Sequence, residues 1–139
     1  MRSKILIDIS NYTSFFHDGS IIGIQHKGDI IKISMESAEI DKTDLYDEIQ
    51  LSKDNTLKGL LIFKKIEQAG YDNDIKGLSM LADCGSIIRF TKAHRKVSLF
   101  IEWINYPPNE NVSLFTTLTI IANEIVWQTE PELFDPFRR

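Results

Sequence analysis

The feature that most constrains this chain is a period-two alternation of apolar and polar residues, carried by β-branched side chains and cut at short intervals by turn chemistry. In "KVSLFIEWINY", Val97, Leu99, Ile101 and Trp103 fall on one face while Ser98, Phe100, Glu102 and Ile104 fall on the other. A helix cannot do this, because its side chains return to one face every 3.6 residues and not every two. "IIKISME" repeats the pattern with Ile31, Ile33 and Met35. The Lys27-Gly28-Asp29 turn before it predicts a hairpin with "SIIGIQH", in which Ile22, Ile24 and His26 share a side. "KILIDIS" reads as a strand through Ile5, Ile7 and Ile9. "SIIRF" and "KVSLFIEW" read as the arms of a second hairpin tipped by the basic "TKAHR", and "SLFTTLTIIANEIVWQTE" as a long last strand bent near Ala122-Asn123.

Two segments carry mixed signals. "TDLYDEIQLS" suits a short helical piece behind a Thr43 cap that gives way to a strand near Glu48, followed by a turn over Lys53 to Asn55. "TLKGLLIFKKIEQAG" could be a helix ending at Ala69-Gly70, but Gly59 would cost it about 1 kcal/mol, and Leu57, Leu61 and Phe63 alternate as a strand requires. Some seven to eight short strands with few helix-length patterns predict a mostly β chain. The expected fold is a single-domain antiparallel β-sandwich or partly open barrel with at most one or two short helices. A sheet-plus-helix arrangement is the rival if residues 56–69 are helical. The hydrophobic share of 42% and charged share of 26% exclude a disordered or fibrous chain, so residues 1–139 read as one domain. Residues 130–139 form a tail fenced by Pro131 and Pro136. Its Leu133, Phe134 and Phe137 are expected to fold back over a sheet opening rather than dock on a partner.

Charge and cysteine use narrow the function classes. A net charge of -4 argues against bulk nucleic-acid binding, which needs a basic face. The single Cys84 cannot close an internal disulfide, the apolar run of Ile5 to Ile7 stops at Asp8, and no block approaches the roughly 20 apolar residues of a membrane span. A cytoplasmic protein without signal peptide, membrane contact or cofactor is expected. The charge is unevenly spread. Glu36, Glu39, Asp41, Asp44, Asp47 and Glu48 face only Lys42 between positions 36 and 48, and Arg89, Lys92, Arg95 and Lys96 cluster around His94. Such runs most often cover solvated surface.

Motifs that could carry chemistry are few. "DNDIKGLSMLAD" places Asp72, Asp74, Gly77 and Asp83 at four of the five diagnostic positions of a calcium loop, but Lys76 stands where a fifth oxygen belongs and would repel the ion, so a polar turn is the simpler reading. His17-Asp18 could pair a base with a carboxylate, yet neighbours on an extended chain point apart. His17, Asp18 and His26 together would serve a small metal-dependent hydrolase, although no further ligand lies at metal spacing. Cys84 and His94 could form a nucleophile pair, but a lone cysteine more commonly packs as a small hydrophobe. Glu36 and Glu39 would point apart on a strand. Among the aromatics, Trp103 belongs to an apolar face, its ring N–H in need of an acceptor.

The succession "FHDG", "ISMESAEI", "TLKGLLIF" and "IEWINY", followed by a last strand ending in Trp and Pro, resembles small β-rich bacterial proteins of unknown function, among them immunity proteins of polymorphic toxin systems. The resemblance carries no catalytic motif. It implies a cytoplasmic binder that neutralises a basic toxin-like domain through the acidic run, Glu36, Glu39, Asp41, Asp44, Asp47 and Glu48. A subunit that pairs with its own copy as a homodimer by sheet edges is the remaining reading.

Overall fold

In the computed structural model, which describes residues 8–45, 48–71, 85–104 and 113–132, the alternating segments become six antiparallel strands. These are β1 (Ser20–Lys27), β2 (Ile30–Glu39), β3 (Thr56–Tyr71), β4 (Gly85–Ala93), β5 (Lys96–Ile104) and β6 (Ser113–Thr129). They close into a barrel in the order β1-β2-β3-β6-β5-β4. The chain is mostly β, as its alternation requires. The helical pieces among the described residues are 3-10 turns at Ile9–Asn11, Thr13–Phe16 and Lys42–Asp44. Residues 56–69 are strand, which removes the sheet-plus-helix rival.

The inward faces are those the pattern marks. Ile31, Ile33 and Met35 on β2, Leu57, Leu61 and Phe63 on β3, and Val97, Leu99, Ile101 and Trp103 on β5 are all buried. Burying each such side chain contributes roughly 1.5–3 kcal/mol. The Trp103 ring N–H donates to the Thr116 hydroxyl at 2.8 Å, so the largest core residue leaves no polar atom unsatisfied.

Four bulges shift the register, and they account for most departures from simple alternation. On β1 the shift falls between Ile21 and Gly23, so Ile21 and Ile24 point inward where strict alternation puts Ile22 and Ile24 together. On β2 it falls between Glu36 and Glu39, on β3 between Ile66 and Gln68, and on β4 between Ile87 and Arg89. β6 runs unbroken from Ser113 to Thr129, and the irregularity near Ala122-Asn123 falls on its partner, at the β3 bulge and at Lys65 with its positive φ of 54°. The β4–β5 tip is folded onto this corner. The Arg95 guanidinium donates to Glu67 at 2.7 Å and to Asn123 at 2.5 Å, while its carbonyl accepts from the Ala122 amide. Because this pair is about half exposed, its contribution is about 0–1 kcal/mol. The tip itself is narrower than the basic run, since Thr91, Lys92 and Ala93 still belong to β4 and only His94-Arg95 turn.

Two expected strands are not seen among the described residues. Ile9 lies in a 3-10 turn capped by the Asp8 carboxylate, with residues 1–7 outside the described set. Residues 48–52 are irregular, yet Leu51 is buried and Ile49 packs on the core, so their apolar spacing records anchoring rather than pairing. The short helical piece near Thr43 exists, but its cap is Asp41, whose side chain accepts from the Thr43 amide.

Closure depends on a short seam. Among the described residues β1 and β4 pair only at Ser20 with Ser86 and Ile21 with Gly85. The seam is extended by the Asp18 amide donating to the Ile87 carbonyl and the Ile87 amide to the Gly19 carbonyl. Beside it the Thr13–Phe16 turn drives Phe16 into the barrel, edge-on to Phe90 at 5.4 Å and Trp127 at 5.7 Å. Gly19 lets this segment approach β2: a Cβ there would lie 2.4 Å from the Glu36 carbonyl oxygen, a backbone atom that cannot swing aside. Gly70 has open space around the same position. Gly19→Ala is therefore expected to lower stability by about 1–3 kcal/mol through forced overpacking. Gly70→Ala should leave it unchanged or raise it by up to about 1 kcal/mol. Urea unfolding of the two variants beside the parent checks the contrast.

Candidate functional site

The acidic run is split by the fold into residues with different duties. Glu36 is half-buried, and its carboxylate accepts a hydrogen bond from the Thr56 hydroxyl at 2.6 Å. It also sits across the ladder from Lys58. Thr56 is in turn held by Ser52, which accepts from the Thr56 amide at 3.1 Å. This carboxylate anchors the start of β3 to the end of β2. The bulge between Glu36 and Glu39 changes a further expectation. Their register partners are Lys58 and Thr56, two residues apart on β3, so the two carboxylates fall on one face instead of pointing apart.

Beyond the bulge the chain leaves the sheet and forms an open depression of about 470 Å³ lined by Glu39, Ile40, Asp41, Lys42 and Asn55. Its floor is fixed by the Ile40 amide donating to the Asn55 carbonyl at 2.8 Å, and the turn expected over Lys53 to Asn55 is closed by the Asn55 amide donating to the Ser52 carbonyl. Asp41 accepts from the Thr43 amide at 3.1 Å and from the Thr43 hydroxyl at 3.0 Å. These two bonds, the amide first, hold its carboxyl below the usual carboxylate range. Glu39, Asp44 and Glu48 are exposed, and Asp47 lies outside the described residues. Lys42, Lys53 and Lys58 border the same corner, so the surface is acidic but not uniformly so.

The histidine candidates do not converge. Asp18 takes a positive φ of 69°, so the chain turns there, and His17 and Asp18 lie side by side, Nε2 to Oδ2 at 3.8 Å, instead of pointing apart. His17 Nδ1 is 2.6 Å from the Ile88 carbonyl oxygen. A carbonyl only accepts, so Nδ1 donates the proton and the ring is a clamp on the β4 bulge. His26 is exposed near the other end of β1, six residues and roughly 20 Å of strand beyond Ser20. The three residues of the hydrolase reading thus occupy opposite ends of a strand. Among the described residues no group of three His, Cys, Asp or Glu side chains could hold a metal ion. The calcium-like segment 72–83 and Cys84 lie outside the described residues, while His94 forms the β4–β5 turn with a φ of 61°. No helix among the described residues is long and apolar enough to cross a membrane.

A second surface was underweighted by the sequence reading. Among the described residues, Phe100 on β5 and Phe115 on β6 are the large apolar side chains left exposed, at 37% and 46%, with ring centroids 5.9 Å apart. Alternation does mark both as outward: Phe100 opposes the Val97 face, and the residue paired with Phe115 is outward-facing Glu102.

No protein family model, curated protein or solved structure matches this chain, so its chemistry is argued from these residues alone.

Because its folded value is depressed, the Asp41 carboxylate stabilises the Lys42–Asp44 turn fully above about pH 4, the ordinary value of an unfolded aspartate, and loses that contribution as pH falls through the lower folded value. In a carbon-detected NMR titration Asp41 should titrate below the ordinary value of an aspartate. Asp41→Asn should remove the acid dependence of the Thr43 amide shift.

Proposed function

We propose that this protein is a non-catalytic protein-binding module of the immunity type, acting in the cytoplasm on a basic, toxin-like domain. The observation that carries this reading is the open depression at the end of β2, where Glu39 and Asp41 line the wall, Asp44 stands exposed in the turn that Asp41 caps, and Glu48 is exposed further along the chain. A shallow, solvent-open, carboxylate-rich surface suits contact with a cationic partner more than turnover. A reaction site needs a base and its orienting group within reach of one another and of a substrate that is shielded from water. Here the imidazole best placed for such work, His17, is committed to a backbone carbonyl.

Rim carboxylates of this kind act mainly by steering. They raise the association rate and penalise acidic competitors, and their effect falls as salt screens them. Glu36 is not part of the contact set in this reading, because its carboxylate is occupied by Thr56, and Asp41 contributes chiefly by holding the turn.

The combined Glu39→Lys, Asp44→Lys and Glu48→Lys variant keeps both of those structural carboxylates. Against the product of the gene adjoining its own, the parent should bind and restore growth of cells expressing that product. The variant should bind at least about tenfold more weakly, mainly through slower association. Binding that ignores the triple reversal, or an adjoining product that is neither bound nor neutralised, overturns the reading.

A further inference from the structure

We propose that the outer face of β4, β5 and β6 is a self-complementary surface through which two copies of this chain associate, with Phe100 at the two-fold axis. This surface is distinct from the acidic depression and does not depend on it.

The ladder fixes the layout of the face. Phe100 lies between Arg89 on β4 and Thr117 on β6. One step along, Glu102 lies between Ser86 and Phe115; one step the other way, Ser98 lies between Thr91 and Thr119. The centre is aromatic and ringed mainly by hydroxyls, with Arg89 and Glu102 as the charges nearest to it and Lys96 at the far end of the β5 row. Arg89 is one strand away from Phe100, about 4.8 Å, and Glu102 is two residues along β5, about 6.8 Å. A two-fold axis through Phe100, lying between the copies along the bisector of those two directions, has a definite result. It stacks Phe100 on its counterpart and brings each Arg89 over the Glu102 of the other copy. The difference of about 2 Å between the two offsets is within the reach of an arginine side chain. The same operation places Ser98 over Thr117 and Thr91 over Phe115, so no like charges meet. An aromatic anchor ringed by polar groups that exclude water is the usual anatomy of a small interface.

Charge also argues for the face over an edge. β3 beyond Phe63 pairs only with β6 among the described residues, but that edge carries exposed Lys64 and Lys65 and the bulge at Glu67. Lysines and bulges are the devices that block edge pairing. This replaces pairing by sheet edges with pairing by a sheet face.

Area limits the strength. Nine residues on each of three strands give a flat footprint of about 400 Å². That is about half the roughly 800 Å² per partner of a standard interface, and the convexity of a barrel wall reduces it further. The dissociation constant should be on the order of 100 µM.

Sedimentation equilibrium at low salt, from about 10 µM to about 1 mM protein, brackets that affinity. The parent should move from monomer to dimer mass across the range. Phe100→Thr, which keeps a β-forming residue, and Arg89→Glu should each weaken association at least about tenfold, and Arg89→Glu combined with Glu102→Arg should restore it. Far-UV circular dichroism on each variant separates loss of association from loss of fold. A parent that stays monomeric at the top of the range, association indifferent to Phe100→Thr and Arg89→Glu, or a charge swap that fails to restore it, overturns the proposal. None of these variants touches the acidic depression, so their outcome is independent of partner binding there.

Discussion

Everything in this structure depends on the short seam between β1 and β4. An open sheet of six strands would leave two edges and an uncovered apolar face, and only a few backbone hydrogen bonds convert it into a barrel. The "FHDG" segment extends them beyond the Ser20 and Ile21 pairs. Phe16 fills the interior, His17 clamps the Ile88 carbonyl, Asp18 turns the chain with a positive φ, and Gly19 passes close to the β2 backbone. Four consecutive residues therefore do four different mechanical tasks at one place. The histidine and aspartate that resemble a catalytic pair are the part of the lock that faces solvent.

Bulges distribute the consequences of that closure. A barrel wall must coil, and an extra residue on one strand bends it while shifting its alternation by one position. The bulge on β4 exposes the Ile88 carbonyl neighbourhood that His17 reaches. The bulge on β2 carries Glu39 onto the same face as Glu36 and delivers the chain to the Asp41 cap, and so shapes the acidic depression. The bulge on β3 lies opposite Ala122 of β6, where Arg95 ties the hairpin tip down. Sites that look like separate surface features are by-products of how the sheet is curved.

How much of this was legible in the sequence follows from what alternation encodes. Period two identifies strands and inward faces wherever pairing is regular, which is why β2, β5 and the first half of β3 read correctly from Ile31 to Met35, Val97 to Trp103 and Leu57 to Phe63. It says nothing about where an extra residue is inserted, because a bulge is set by the partner strand. Ile22 was misassigned for that reason, and so was the relation of Glu36 to Glu39. Apolar spacing also cannot separate a strand from an irregular segment that buries alternate side chains, as Ile49 and Leu51 do. For the candidate site, the carboxylates were visible as a run, but their division into Glu36 as anchor, Asp41 as cap and Glu39, Asp44 and Glu48 as exposed charge needed Thr56 and Thr43 in place. Phe100 and Phe115 were visible as outward residues, and only the ladder shows them adjacent.

The order of strands around the barrel relates the two proposed surfaces. In the ring β1-β2-β3-β6-β5-β4, β5 stands three places from β2 in either direction. The strand at the centre of the aromatic face is thus diametrically opposite the strand that ends at the acidic depression. Association through one cannot cover the other. The two surfaces also answer to salt differently: a carboxylate rim weakens throughout as salt screens it, whereas the dimer face would lose the Arg89–Glu102 attraction and keep the stacked rings at its centre. A pair of copies joined at Phe100 would carry its acidic depressions on the two outer sides, facing away from each other. Dimerisation would therefore present two separate cationic-partner sites, without the gain in affinity that requires both to engage one molecule.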